Sequence, residues 1–218
     1  MRITLPSGTA AEIARPASGA GDRGLVVVPD IMGLRPLFDD HVARLAEEQG
    51  WVVVAPELFP DLEDQPLDWR LAHAGEVSDA RRLDDFAAAA DATGCADVAI
   101  VGFCMGGMYT LKASGTGRFD HAVAFYGMVH TPDNWKTAGD VDPLGAVARG
   151  VCPVLMIAGT ADHWTPAADL DALEAAGATV VRYDGADHGF VHDASRPAHR
   201  SADAADAWRR AIEFIRGG

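Results

Sequence analysis

The sequence is poor in cysteine, with three among 218 residues, and the three do not form a recognisable set. Cys95, Cys104 and Cys152 are widely spaced, and no CxxC pair or Cys/His cluster accompanies them. An odd number of scattered cysteines argues against a disulfide framework and against a zinc site, so no bound metal is expected. Cys95 and Cys152 flank predicted strands and are expected to be small core side chains. Cys104 needs a different explanation.

Long apolar runs are also absent. No segment approaches the roughly 20 apolar residues that cross a bilayer, which argues against a membrane-spanning helix. The opening residues, MRITLPSGTAAEI, lack the continuous apolar stretch of a signal peptide. We therefore expect a cytoplasmic protein with no membrane partner.

Positive charge is scarce as well. Lys and Arg together number 18 against 32 Asp and Glu, which gives a formal net charge of −14. The average field of such a chain repels a phosphate backbone, so nucleic acid is not an expected partner.

Apolar runs rich in β-branched residues alternate with amphipathic segments along the chain. The runs are too apolar for half-exposed strands and are typical of a parallel sheet buried on both faces. Strands that alternate with helices imply βαβ units. The sequence therefore predicts an α/β fold with a doubly wound, mostly parallel sheet, in a single domain spanning residues 1–218. The predicted strands are a hairpin over 3–15 and runs at 24–30, 51–57, 97–103, 121–127, 152–159 and 179–185, and the predicted helices cover 37–50, 77–92, 106–114, 168–177 and 201–215.

Cys104 lies in the sequence Gly-Phe-Cys-Met-Gly, after a predicted strand and before a predicted helix. This matches the G-x-nucleophile-x-G elbow, in which small neighbours let a strand turn sharply into a helix. Such a turn exposes the sulfur at a helix N-terminus, where the helix dipole favours a thiolate. It also aims the backbone N–H of Met105 at a developing oxyanion. The pentapeptide alone is equally compatible with a buried thiol in a glycine-rich turn.

Two further residues decide between these interpretations. Asp162 follows the apolar run VLMIA, and His188 lies in a glycine-framed loop after the run TVVRY. Loops after parallel strands meet at one edge of the sheet, where active residues gather. The chain order Cys104, Asp162, His188 is the nucleophile–acid–histidine order of α/β-hydrolases. We therefore predict a catalytic triad of these three residues.

The motifs GFCMGG, GTADHW and DGADHGF, with VVVPDIMG early in the chain, resemble the dienelactone hydrolase family of α/β-hydrolases over nearly the whole sequence. The resemblance implies an α/β-hydrolase fold without a large lid and no cofactor. It implies an oxyanion hole formed by the backbone N–H groups of Ile31 and Met105. The implied activity is that of a carboxymethylenebutenolidase, a carboxylic ester hydrolase of aromatic degradation that opens an enol-lactone through a thioester on Cys104. The implied partner is a small-molecule ester or lactone, and the expected assembly is a monomer or a weak homodimer.

The sequence departs from the family pattern at two positions. Well-studied members have a Glu that contacts the resting thiol, where this sequence has Asp30. They also hold the substrate carboxylate with an arginine four residues after the catalytic histidine, where this sequence has His192. By this resemblance, Asp30 and His192 are candidates for contacting the substrate or for modulating the site. The candidates for a second carboxylate-binding arginine are Arg70, Arg81 and Arg82, although the last two are better explained as solvated helix residues.

Aromatic side chains near the predicted edge are candidates for the pocket wall. Tyr126 ends a predicted strand and Trp164 follows Asp162 closely, while Trp135 and Phe38 are weaker candidates because large aromatics are more often core residues. Two other functions remain open from the sequence. One is a carboxylesterase or thioesterase of broader specificity on the same scaffold, and the other is a redox role for Cys104 without hydrolysis.

Overall fold

The computed structural model describes residues 1–19 and 21–217, and in this part of the chain eight strands form one sheet. The strands are β1 (Arg2–Thr4), β2 (Ala10–Ala14), β3 (Gly24–Val28), β4 (Val52–Pro56), β5 (Val98–Phe103), β6 (Ala122–Phe125), β7 (Val154–Gly159) and β8 (Thr179–Tyr183). Their order across the sheet is β1-β2-β4-β3-β5-β6-β7-β8. The pairings β1–β2 and β2–β4 are antiparallel, and all others are parallel. The predicted α/β fold with a mostly parallel sheet is confirmed.

The same described ranges contain seven α-helices, most of which pack on the two faces of this sheet. They are α1 (Pro36–Gln49), α2 (Leu67–His73), α3 (Asp79–Thr93), α4 (Met105–Ser114), α5 (Pro143–Ala148), α6 (Ala167–Ala175) and α7 (Ser201–Ile215). In that part of the chain, no inserted domain lies over the carboxyl edge of the sheet, as expected for a fold without a large lid.

The core lies in two layers, one on each side of the sheet, because side chains alternate between the faces of a strand. Val26 and Val28 of β3 join one apolar cluster, which α3, α4 and α6 complete. Leu25 and Val27 join the other cluster, which α1 and α7 complete. All residues of β3 to β7 are buried, which explains why these strands are continuously apolar in the sequence.

The helices α2 and α5 are not among those predicted from the sequence. They have seven and six residues, too few for a helical period to emerge from the sequence. The start of α5 does carry a local signal, since the Asp142 side chain accepts the N–H of Gly145 as an N-cap and Pro143 follows it. The start of α2 at Leu67 follows Pro66, and it has no side-chain cap.

A buried polar network ties α3 to α4. The Lys112 ammonium donates to Asp79 over 2.8 Å and to Asp140 over 2.9 Å. The Tyr109 hydroxyl donates to Asp79 over 2.8 Å and accepts from Arg82 over 2.7 Å. Such groups are stable in a core only when they are paired, and here each has a partner.

None of the helices in residues 1–19 and 21–217 is both long enough and apolar enough to cross a membrane.

Candidate active site

Cys104 lies at the sharp turn between β5 and α4, with φ 56° and ψ −117°. A non-glycine residue rarely adopts a positive φ, and such strain is typical of a nucleophile elbow. The flanking glycines are required by close backbone approach. A Cβ atom at Gly102 would collide with the carbonyl oxygen of Gly106, and one at Gly106 would collide with the carbonyl oxygen of Pro29. The turn holds the Cys104 side chain half-buried, at the wall of a cavity.

Asp162 and His188 meet beside this elbow. Asp162 follows β7 and His188 follows β8, so both loops lie at the carboxyl edge of the sheet. The Nδ1 atom of His188 lies 2.8 Å from Oδ2 of Asp162, whose other oxygen accepts the backbone N–H of Trp164 over 2.8 Å. Because a carboxylate only accepts hydrogen bonds, Nδ1 carries the proton, and this fixes the orientation of the imidazole.

The second ring nitrogen of His188 is buried and, among the described residues, has no partner at normal hydrogen-bonding geometry. Burial lowers the pKa of His188, but the hydrogen bond with Asp162 and the nearby Cys104 sulfur outweigh burial and raise that pKa to about 10. The ring therefore readily holds a second proton. A cation beside a cysteine sulfur favours the thiolate, the form that acts as nucleophile.

Residues 29–35 approach the N-terminus of α4 from the end of β3, and we call them the oxyanion loop after the role that the family resemblance implies for Ile31. Met105 is the first residue of α4, where N–H groups have no intrahelical acceptor. In the oxyanion loop, the N–H groups of Met32 and Gly33 bind Asp30, and that of Leu34 donates to Glu57 over 2.7 Å. The Ile31 N–H has no acceptor within the described ranges.

The three arginines considered for carboxylate binding do not line the cavity, so the geometry does not support that role for them. Arg70 is 4% exposed and donates to backbone carbonyls, including Ile31 over 3.3 Å, beside a buried Glu57. Arg81 pairs with Asp85 over 3.1 Å and donates to the carbonyl oxygen of Ser7. Arg82 lies in the core against Tyr109.

Burial raises the pKa of Glu57, although two backbone N–H groups and Arg70 oppose this.

A cavity of about 470 Å³ opens next to Cys104 and His188. This volume is within the range that accommodates small organic ligands. Part of its wall is apolar, where the Trp135 and Trp164 rings stack with centroids 6.4 Å apart. Trp164 thus lies where the sequence placed it, and Trp135 lies there too, whereas Phe38 is fully buried in the core. The remaining apolar residues of the wall are Ile31, Met32, Leu67, Leu71 and Met128.

Two arginines that sequence reasoning missed lie on the cavity wall. Arg35 donates to both oxygens of Asp30 over 2.6 and 2.8 Å. Arg196 is exposed and makes no ion pair with any carboxylate of the described chain. Arg35 follows β3 and Arg196 follows β8. Loops after parallel strands gather at one edge of the sheet, and this signal, which predicted Asp162 and His188, could also have pointed to the two arginines.

Asp30, Tyr126 and His192 form a buried chain of hydrogen bonds behind the cavity. The Nε2 atom of His192 lies 2.8 Å from Asp30, and its Nδ1 atom lies 2.6 Å from the Tyr126 hydroxyl. Asp30 reaches the cavity wall, whereas Tyr126 and His192 do not. Direct contact of these two side chains with substrate, one of the expectations from the sequence, is therefore not supported by the geometry.

The pKa shifts in this chain of residues follow from burial and from the partners. Burial opposes ionisation of Asp30, but His192 and Arg35 outweigh it and hold the pKa of Asp30 well below its usual range. Burial also lowers the pKa of His192, in spite of its bond to Asp30, and raises the pKa of Tyr126 well above its usual value. The chain is thus an ionised carboxylate, a neutral imidazole and a neutral phenol.

The sequence model of the dienelactone hydrolase family matches residues 9–217. A Methylorubrum extorquens protein provisionally named a carboxymethylenebutenolidase is 33% identical, with 93% of this chain and 75% of the relative aligned. The carboxymethylenebutenolidase of Rhodococcus opacus is 29% identical over 91% of this chain and 82% of its own. The crystal structure of a Klebsiella pneumoniae protein, provisionally described as a dienelactone hydrolase, superposes with a TM-score of 0.84 at 27% identity, covering 99% of this chain and 97% of that one.

Proposed function

Because the chain belongs to the dienelactone hydrolase family, we propose that it hydrolyses an activated ester or enol-lactone of the dienelactone kind through a thioester on Cys104. The observation that carries this proposal is the placement of a strained elbow cysteine beside a histidine that is held by a buried aspartate. A nucleophile, a base and a group that orients the base are the parts that acyl transfer needs.

In the first half of the reaction, the Cys104 thiolate attacks the ester carbonyl carbon and forms a C–S bond. The carbonyl oxygen becomes an oxyanion between the N–H groups of Ile31 and Met105, and each such donor lowers the barrier by about 2.7–4 kcal/mol. The tetrahedral intermediate then breaks its C–O bond, and His188 gives its Nε2 proton to the departing alkoxide or enolate. An enolate is a good leaving group and suits a thiolate nucleophile.

In the second half, neutral His188 takes a proton from a water molecule, which attacks the thioester carbonyl. Collapse of the second tetrahedral intermediate breaks the C–S bond and releases the carboxylic acid and the thiolate. Asp162 stays ionised throughout, since its role is to orient the imidazole and stabilise the imidazolium. No cofactor enters either half.

The cavity wall supports an anionic substrate with an apolar body. Arg35 and Arg196 face the space next to Cys104 in a chain whose net charge is −14. The wall also carries Asp30, with which Arg35 is paired, and Asp193, so Arg196 is the guanidinium of the wall without an ion-pair partner among the described residues. A substrate carboxylate at Arg196 would give this exposed guanidinium the partner that no described side chain provides. The stacked Trp135 and Trp164 rings offer a flat apolar surface for the rest of the molecule.

A broader carboxylesterase or thioesterase activity is the second candidate. A cavity of about 470 Å³ with a half-exposed Trp164 at its wall has room for acyl groups larger than a single lactone ring. The triad chemistry is the same in both cases, and only the natural substrate differs.

The test is hydrolysis of cis- and trans-dienelactone and of p-nitrophenyl acetate by the wild-type protein, by Cys104→Ser and by the control Cys95→Ser. We expect dienelactone turnover that Cys104→Ser abolishes and Cys95→Ser retains. Turnover of the nitrophenyl ester alone would favour the second candidate. No turnover of any ester, with Cys104 still readily oxidised by peroxide, would favour the redox role.

A further inference from the structure

His192 joins three loops of the candidate active site while touching none of the cavity itself. We propose that His192 is a positioning residue, whose two ring nitrogens hold the oxyanion loop and the His188 loop in fixed relation to Tyr126. The proposal rests on the proposed function, since it concerns the geometry of the same site. His192 lies four residues after His188 on one loop, Asp30 begins the turn of the oxyanion loop, and Tyr126 follows β6.

The first link joins His192 to Asp30. The carboxylate of Asp30 accepts four hydrogen bonds: His192 Nε2 at 2.8 Å, the Met32 N–H at 3.0 Å, and two from Arg35 at 2.6 and 2.8 Å. A carboxylate has about four acceptor positions, so this one is saturated. Asp30 is thus an anchor of the oxyanion loop, and it has no free position to take a proton from Cys104.

The second link joins His192 to Tyr126, which directly contacts the base. The Tyr126 hydroxyl lies 2.6 Å from His192 Nδ1, and its ring meets the His188 ring edge-on with centroids 5.1 Å apart. Tyr126 has a positive φ of 42°, a strained conformation that surrounding contacts must hold in place. A shift of the Tyr126 ring would therefore displace His188.

The His192 ring is itself held by two neighbouring phenyl rings. It packs against Phe103, with centroids 5.0 Å apart, and against Phe38, at 6.0 Å, and both interplanar angles are 25°. The His192 carbonyl oxygen accepts from Nε2 of His41 over 2.7 Å. As a neutral imidazole, the ring donates through one nitrogen and accepts through the other, which an apolar side chain of the same shape cannot do.

Packing alone does not explain why the polar side chains of Asp30, Tyr126 and His192 are buried together. A buried polar network gives little net stability compared with apolar side chains of similar volume, because each charged or polar group loses its hydration. Asp30, Tyr126 and His192 are nonetheless almost fully buried, at 3%, 0% and 2% exposure. Their arrangement does fix the relative orientation of three loops, and a displacement of about 1 Å at such a site costs up to a hundredfold in rate.

The test uses substitutions that remove one link at a time. In His192→Gln the side-chain amide reaches the position of Nε2 and keeps the Asp30 link, whereas in His192→Asn it reaches the position of Nδ1 and keeps the Tyr126 link. Tyr126→Phe removes only the hydroxyl. Tyr109→Phe is the matched control, because Tyr109 is also a fully buried tyrosine with two hydrogen-bond partners but lies away from the cavity.

We expect each of the three site variants to lower kcat for p-nitrophenyl acetate by about tenfold or more, with KM changed by less than about twofold. Tyr126→Phe and His192→Gln combined should be no slower than the slower single variant, because both remove the same link between Tyr126 and His192. Tyr109→Phe should lose stability with kcat unchanged. All rates are measured at a temperature at which circular dichroism shows every variant folded. Wild-type kcat in folded Tyr126→Phe and His192→Gln, or effects that simply add, would overturn the proposal.

A second measurement distinguishes failure of the positioning role of His192 from failure of the proposed ester hydrolysis. The rate at which iodoacetamide alkylates Cys104 depends on His188 beside the sulfur but requires no ester substrate, and mass spectrometry identifies the alkylated peptide. If wild-type protein hydrolyses no ester but the site variants slow alkylation relative to Tyr109→Phe, the proposed function fails and the positioning role stands. If ester turnover and alkylation are both unaffected in the variants, the positioning role fails and the proposed function stands.

Discussion

Nδ1 of His188 lies 2.8 Å from Oδ2 of Asp162, although 26 residues separate them in the chain. The side chain of Asp162 is fully buried and that of His188 is 12% exposed, so water does little to screen the pair. The parallel arrangement of β7 and β8 brings the two loops together, and the elbow after β5 adds Cys104. The base of the candidate triad is oriented by this relationship.

Asp162→Asn tests the orientation of the imidazole. The amide keeps the shape of the carboxylate but can turn an N–H toward His188 and so favour the wrong tautomer, and we expect kcat to fall by about 10⁴-fold. Steady-state hydrolysis of p-nitrophenyl acetate measures this. Asp171→Asn, an exposed carboxylate paired with Arg182, is the control and should keep wild-type kcat. A kcat for Asp162→Asn within tenfold of wild type would mean that Asp162 has no catalytic role.

The raised pKa of His188 predicts a pH dependence of stability. Between its unfolded value near 6.5 and its folded value of about 10, the folded state binds more protons than the unfolded state. The contribution of this group to the free energy of unfolding is therefore complete below about pH 6.5 and is lost as pH rises toward 10. Urea unfolding at pH 6, 8 and 9.5 should show a steeper decline for wild type than for Asp162→Asn. Parallel declines would contradict the assignment.

Gly106→Ala tests the close approach at the elbow. The added methyl group would collide with the carbonyl oxygens of Val28 and Pro29, which the sheet holds in place, so we expect a loss of about 3 kcal/mol in the free energy of unfolding. Gly50→Ala is the matched control, since its positive φ of 74° strains an alanine but nothing lies within 4 Å of the new methyl group. It should cost about 1 kcal/mol. Equal losses in the two variants would argue against the steric explanation.

Arg196→Gln tests the anionic substrate. Loss of the guanidinium should raise KM for a dienelactone carboxylate by about tenfold and leave KM for neutral p-nitrophenyl acetate unchanged. The effect should weaken at high salt, because Arg196 is exposed. Arg200→Gln, which changes an arginine outside this cavity, should alter neither KM. If Arg196→Gln raises both KM values equally, it acts on the shape of the pocket and not on charge.

Continuous apolar runs are why the sheet and most of the helices could be predicted from sequence. Each buried strand is apolar on both faces, so its position is evident without any structure. The positions of the strands also predict the loops that follow them. Since those loops meet at one edge of the sheet, Cys104, Asp162 and His188 could be predicted to lie close together. The helix α2 could not be predicted in this way, because seven residues are too few to show a helical periodicity of apolar side chains.

Side-chain direction within a loop is what the sequence did not reveal. Arg196 reaches the cavity and Arg70 turns away from it to bind backbone carbonyls, and nothing in the local sequence distinguishes the two. His192 was considered for substrate contact because of its distance from His188 in the chain. Its burial against Phe38 and Phe103 depends on residues from α1 and β5, which are far away in sequence.

The most direct test of the account is to trap the acyl group on the nucleophile. Wild-type protein mixed with p-nitrophenyl acetate is quenched in acid within the first turnover, digested and analysed by mass spectrometry. The account predicts one acetyl group on the peptide that contains Cys104, and more of it in His188→Gln, in which hydrolysis of the thioester is slowed. Turnover with Cys104 unmodified at every time point, or an acetyl group on a different residue, would contradict the account.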